Sequence, residues 1–174
     1  MARSEFDTLL HSPSGSREGG CTFERAGHAD IPALVELMSE FYAESSYTLD
    51  QAWAAASFAQ LLRDEARGAV WIARHGAEPA GHVVLALKHS MEFGGLAGVI
   101  DDLFVRPRFR RQGVGSALLS ALFDACRKLH VAAVHVEVDP GNVAASALYR
   151  AFGFHGQGTG RQSLVNDAFE QAGQ

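Results

Sequence analysis

The chain has 174 residues, 47% of them hydrophobic and 20% charged, with a formal net charge of −5. That length favours one domain with a sizeable core, and the acidic balance argues against a general nucleic-acid surface, which needs a basic face. No stretch reaches the roughly 20 consecutive apolar residues of a membrane-spanning helix, and residues 1–20 lack the apolar centre of a secretory signal, so a cytoplasmic protein with no membrane partner is expected.

Residues 1–20 are rich in Ser, Gly and charge and read as a flexible extension, with Phe6, Leu9 and Leu10 as a candidate docking turn. Residues 21–174 form the expected domain. It opens with a strand at 21–26. Asp30 is the expected N-cap of a helix whose apolar face carries Ile31, Leu34, Val35, Met38, Phe41 and Tyr42, with Pro32 in its first turn. A second helix is expected over 49–64. Strands at 69–74 and 80–89 flank the turn cluster 75–79 as a hairpin, and a glycine-rich connection, 91–98, leads to a strand at 99–105. An amphipathic helix follows over 113–129, with Val114, Leu118, Leu122, Ala125, Cys126 and Leu129 on its apolar face. A strand at 132–138, a short helix at 144–151 and one or two last strands within 155–165 complete the order. The cysteines, Cys21 and Cys126, form no C-x-x-C pair, and no two of the eight histidines have spacing suited to one metal, so no metal site is expected.

The segment 99–119 carries the most chemistry. Asp101 and Asp102 interrupt an apolar strand. Arg106, Arg108, Arg110 and Arg111 follow, and then Gly113-Val114-Gly115 opens the helix. A strand, a basic glycine-containing turn and a helix start together make an anion cradle: backbone N–H groups point at the ligand and the helix dipole favours negative charge. The arginine cluster reads as a site for one polyanionic small molecule. An ATP P-loop is disfavoured because Ser116-Ala117 follows the last glycine where Lys-Ser/Thr is needed, and a dinucleotide fingerprint because its third glycine position is Leu118.

Arg110-x-x-Gly113-x-Gly115 resembles the pyrophosphate-binding signature of the GNAT superfamily of N-acetyltransferases. The likeness continues through Val136-Glu137-Val138, Asn142, Ala145, Ala147-Leu148-Tyr149 and Gly153-Phe154. It implies an α/β (mixed α+β) fold, a mixed twisted sheet of six to seven strands with helices on both faces, whose central strands splay around the cofactor's pantetheine arm. It also implies acetyl-CoA as cosubstrate. By position, the backbone N–H groups of Gln112, Gly113, Val114, Gly115 and Ser116 hold the pyrophosphate. Arg110 fills the first motif position, with Arg111 or Arg108 near the ribose phosphate. Leu103, Phe104 and Val105 lie along the pantetheine, Asn142 contacts the cofactor arm as well as suiting an N-cap, and Tyr149 is the general acid near the sulfur.

Acetyl transfer to an amine also needs a base, because only the neutral amine attacks. Carboxylates inside a central strand are rare without a task. Successive strand residues face opposite sides, so one of Asp101 and Asp102 is expected in the acceptor cleft and the other away from it. The run Ile100-Asp-Asp-Leu-Phe-Val105 resembles the acid-acid-apolar-aromatic-Val strand of diamine acetyltransferases and their small-amine relatives. That resemblance makes Asp101 the base, often through a water because Asp is shorter than the Glu of many relatives, and Asp102 a holder of the cationic substrate. The acceptor side adds Glu92 and Phe41, with His82 or His89 as further candidates. The expected function is direct acetyl transfer to a small cationic amine in a ternary complex, the alternative being a non-catalytic acyl-CoA-binding regulator. Relatives often pair through edge strands, so a homodimer is a further expectation.

Overall fold

The computed structural model describes residues 17–18, 20–156 and 162–166. Phe6, Leu9 and Leu10 lie outside them. A sheet of seven strands runs in chain order: β1 (Arg17–Glu18), β2 (Cys21–Arg25), β3 (Gly68–His75), β4 (Glu78–Ser90), β5 (Gly95–Val105), β6 (Ala133–Val138) and β7 (Gln162–Asn166). Neighbours are antiparallel except β5 and β6, which are parallel. That pair needs a crossover, and α3 (Val114–Lys128) supplies it. The other helices are α1 (Ile31–Glu44), α2 (Gln51–Arg63) and α4 (Val143–Ala151).

Period-two alternation sorts the side chains of the sheet between two cores. On one face, Val70, Ile72, Val84 and Phe104 pack with Leu34 and Leu37 of α1 and Phe58 of α2. On the other, Trp71, Val83, Leu85 and Ile100 pack with Leu118 and Leu122 of α3 and Tyr149 of α4. Cys126 is fully buried in this second core. With both faces covered, β3 is a nearly unbroken apolar run.

Three local features depart from the expected pattern. Asp30 stands at the N-cap of α1, but its carboxylate turns back to the Gly27 N–H (2.8 Å) and pairs with Arg74 instead of capping the helix. Asp50 is a true cap of α2, accepting from the N–H groups of Ala52 and Trp53 at 2.9 and 3.0 Å. The glycine-rich segment before residue 99 is largely strand, because β5 begins at Gly95. A Cβ at Gly98 would stand 2.9 Å from Leu85 Cδ1, so the buried Leu85 side chain would have to shift to admit one.

Two irregularities in β5 shape the site. Pairing with β6 runs from Ala97↔Ala133 to Ile100↔Val136 and stops. Pairing with β4 continues to Gly81↔Val105. From Asp101 onward, β5 therefore has a partner on one side only, and the parallel strands part at this point. Against β4, Leu85 faces Ile100 while Val84 faces Asp102, which makes Asp101 the extra residue of a β-bulge.

Candidate acetyl-transfer site

The cradle lies at the end of β5 and the start of α3. A short 3-10 turn, Pro107–Phe109, leads into Arg111 (φ 63°) and Gly113 (φ 82°), both left-handed. Alternation of backbone hand turns neighbouring amides to a common side. The first intrahelical bond of α3 is Ala117 N–H to the Gly113 carbonyl, 2.9 Å. Among the described residues, the N–H groups of Gln112, Gly113, Val114, Gly115 and Ser116 donate to no protein group. Five free donors at the positive end of a helix fit a pyrophosphate. Gly115 has a second role, because a Cβ there would sit 3.3 Å from Leu148 Cδ2 of α4.

The arginines do not act together on one anion, as the sequence suggests. Arg106 is buried, 5% exposed, and bonded to Glu36 and Glu40 of α1, to Glu78 and to the Pro79 carbonyl (2.7 Å). The hydrogen bonds it donates to Glu40 raise its pKa most, against the opposing effect of burial. Arg108 pairs with Glu78. Arg110 pairs with Glu44 and donates from Nε to the Val105 carbonyl at 2.7 Å. Three of these four arginines thus clamp the turn to α1 and β4. Glu44, near the end of α1, is one of their partners. Arg111 is exposed and makes no ion pair among the described residues, so it is the arginine left for a phosphate. The clamp carries a sequence signal that the motif reading passes over: Glu36, Glu40 and Glu44 recur every four residues on one side of α1.

Beyond the turn, Leu103 and Val105 lean toward the core under α3, while Phe104 is 3% exposed and packs against α1. Their main chain borders the gap where β5 and β6 part. Asn142 caps α4, its Oδ1 accepting from the Ala145 N–H at 3.0 Å, which leaves its amide NH₂ unused by the cap. Tyr149 is 5% exposed, with its ring centroid 5.4 Å from that of Phe154. Its pKa is raised by burial first and then by the Asp102 charge, so its hydroxyl holds its proton well above neutrality.

The aspartates overturn the opposite-sides expectation. Both line one pocket of about 50 Å³, with Met38 of α1, Ser57, Phe58 and Leu61 of α2, and Val84 of β4. The bulge is the cause. Ile100 packs under α3 and Phe104 under α1, so the extra residue sends Asp101 and Asp102 to the same face. Asp101 is exposed and Asp102 partly buried. Burial, and then the neighbouring Asp101 charge, push the Asp102 carboxyl up to about 7. Tyr42 of α1 is raised by burial and then by the two aspartates, Asp102 the more.

The remaining acceptor candidates separate. Phe41 packs on Phe104, centroids 5.7 Å apart, next to the pocket. Glu92 is exposed on the turn between β4 and β5 and does not line the pocket; it bears instead on His135, raising its pKa against the larger lowering by burial. His89 is exposed near the far end of β4, and His82 is wholly buried beneath Phe58 and Phe104. Among the described residues, no cluster of three metal-ligating side chains occurs, and no helix is long and apolar enough to cross a membrane.

Known proteins share this fold. The integron cassette protein HFX_CASS3, from the mobile metagenome of Cole Harbour Salt Marsh, is 39% identical and superposes with a TM-score of 0.71 over 79% of this chain and 85% of its own. The yncA protein of Salmonella typhimurium, solved with its cofactor acetyl-CoA, is 18% identical with a TM-score of 0.73 over 88% of this chain and 96% of its own, a likeness of fold. The [ribosomal protein bS18]-alanine N-acetyltransferase of Escherichia coli (strain K12) is 44% identical over 54 residues, 31% of this chain; the match spans only 36% of that protein's length. The family model for the acetyltransferase (GNAT) family matches residues 31–154, a span that takes in the cradle, the acid pocket and Tyr149. The chain therefore belongs to the acetyltransferase (GNAT) family.

Proposed function

We propose that this chain transfers the acetyl group of acetyl-CoA to the primary amine of a small cationic acceptor, directly, within a ternary complex. The observation that carries this reading is the bulge-directed pair, Asp101 and Asp102, in one small pocket at the point where β5 and β6 separate. A volume of about 50 Å³ takes the amine end of an acceptor and not its body, and two carboxylates beside apolar Met38, Phe58 and Leu61 suit an ammonium on an aliphatic stem.

Bound acetyl-CoA supplies the acyl thioester. The free N–H groups of residues 112–116 hold its pyrophosphate, Arg111 takes a peripheral phosphate, and the unpaired edge of β5 meets its amides as an added strand would. In this reading Asp102, rather than Asp101, is the base. It is the more buried of the two, and a carboxyl near 7 takes a proton at working pH better than an ordinary one. Asp101 holds the incoming ammonium. The amine gives its proton to Asp102, directly or through one water, and its nitrogen forms the C–N bond as the C–S bond breaks. Tyr149, kept protonated by burial, gives its proton to the departing sulfur.

A second reading takes a polypeptide N-terminus as the acceptor. It is favoured by the 44% identity to an alanine N-acetyltransferase over the matched 54 residues. The deciding experiment measures CoA-thiol release and product mass with polyamines, amino acids, aminoglycosides and short Ala-initiated peptides. Turnover of polyamines or aminoglycosides supports the first reading, and turnover confined to peptides supports the second. Tight acetyl-CoA binding without transfer to any acceptor would mark a non-catalytic acyl-CoA-binding regulator.

A further inference from the structure

His82 stands out among the buried groups. It is 0% exposed on β4, and among the described residues neither Nδ1 nor Nε2 has a hydrogen-bond partner. Leaving a polar group unpaired in a core is destabilising, because its hydration is lost with nothing in return. The site would accept an apolar side chain, since its neighbours on that face are Ile72, Val84, Phe58 and Phe104.

Register explains what the imidazole is near. His82 lies opposite Phe104, and the next pair on the same face is Val84 opposite Asp102. His82 and Asp102 are therefore diagonal cross-strand neighbours, with α-carbons about 7–8 Å apart in a regular ladder and side chains on one face. The bulge falls beyond this pair, between Asp102 and Ile100, so the ladder is regular where it matters. Phe58 touches both places: it lines the acid pocket, and its centroid is 6.4 Å from the His82 ring. Burial holds the imidazole pKa down at about 4, so at neutral pH it is uncharged, with one N–H to donate and one nitrogen to accept.

We propose that His82 is a positioning residue for Asp102, its neutral ring donating through one bridging water to the Asp102 carboxylate and fixing it for the amine proton. The inference rests on the reading of Asp102 as the base. The other titratable groups that bear on Asp102 are Asp101 of β5, Tyr42 of α1 and Tyr149 of α4, while α2 offers the pocket only the Ser57 hydroxyl. The His82 hydrogen bond opposes the upward push of burial and of Asp101, since a donor to the charged form favours ionisation.

The test compares His82→Phe with His82→Gln, which keeps an amide donor. With an accepted amine, His82→Phe should move the acidic limb of the kcat/KM profile up by about one pH unit and lower kcat about tenfold, with KM for acetyl-CoA unchanged; His82→Gln should restore most of both. An unmoved profile and full turnover in His82→Phe, with equal or higher Tm, would make the ring mere core packing and overturn the proposal. A parallel readout needs no activity: the ring ¹⁵N shifts of His82 should change between wild type and Asp102→Asn, and identical shifts overturn it too. If no acceptor is turned over, the transfer reading fails while these shifts still decide the contact. If His82→Phe does not fold, the Gln and Asn variants carry the test.

Discussion

Asp102 joins two costs to one task. Its carboxyl sits near 7 because burial and the adjacent Asp101 both disfavour the charge. A base must be unprotonated, so kcat/KM should fall tenfold per unit as pH drops below about 7 and level off above it. Asp102→Asn should abolish that limb and lower kcat by at least about a hundredfold, whereas Asp101→Asn should chiefly raise KM for the amine. Stability should move the other way. The folded pKa lies above the ordinary 3.8, so between about pH 4 and 7 the native chain keeps a proton that the unfolded chain has released. Stability from this group is full below that window and declines as pH rises through it. Asp102→Asn should therefore be the more stable protein at pH 8, by on the order of 1–2 kcal/mol, and lose that advantage near pH 4. Thermal melts at the two pH values check both signs.

Among the elements, the turn before α3 combines the proposed binding surface with a structural clamp, and two substitutions separate them. Gly113→Val places a β-branched residue at φ 82°, a left-handed position that only glycine adopts freely. It should weaken acetyl-CoA binding more than tenfold in a calorimetric titration. Arg106→Leu removes the cation shared by Glu36, Glu40 and Glu78. A fully buried pair costs about 3–5 kcal/mol to break, and these carboxylates are partly solvated, so a loss of about 2–3 kcal/mol is expected in denaturant unfolding. The helices and most of the strands were legible because period is a local signal: the apolar stripe of α3 stands in the sequence as it stands in the structure, whereas the cap expected of Asp30 is made by Asp50, one helix later. The turn and helix start that form the candidate cradle were legible for the same reason. Which arginines clamp the turn was not, because that depends on Glu36, Glu40 and Glu78 arriving from elements far away in the chain. The bulge at Asp101 was equally hidden. It is a relation between two strands, and no residue type in β5 announces it.

For the molecule as a whole, the parting of β5 from β6 opens the edge at which the proposed cosubstrate would lie, and it too is a property of register. The strands share one hydrogen-bonded ladder from Ala97 to Ile100; after that, β5 keeps β4 alone and β6 keeps β7 alone. An open strand edge in the middle of a sheet is a row of unsatisfied backbone groups, which in an edge strand would invite pairing with another chain. Here the opening is flanked by the free amides of residues 112–116 and by Tyr149, so one extended polyanionic ligand can satisfy edge and cradle together. Ligand binding should therefore act on the backbone in a graded way. In hydrogen exchange, amides within 102–105 and 112–116 should gain protection when acetyl-CoA is added, while those of 97–100, already paired to β6, should not change. The same saturation should raise global stability by about 2.7 kcal/mol at a hundredfold excess over Kd. Protection confined to 112–116 would mean that the cradle binds alone and the parted strands serve another purpose. Protection spread evenly over β5 and β6 would mean that the strands close on the ligand, and that the gap belongs to the free protein only.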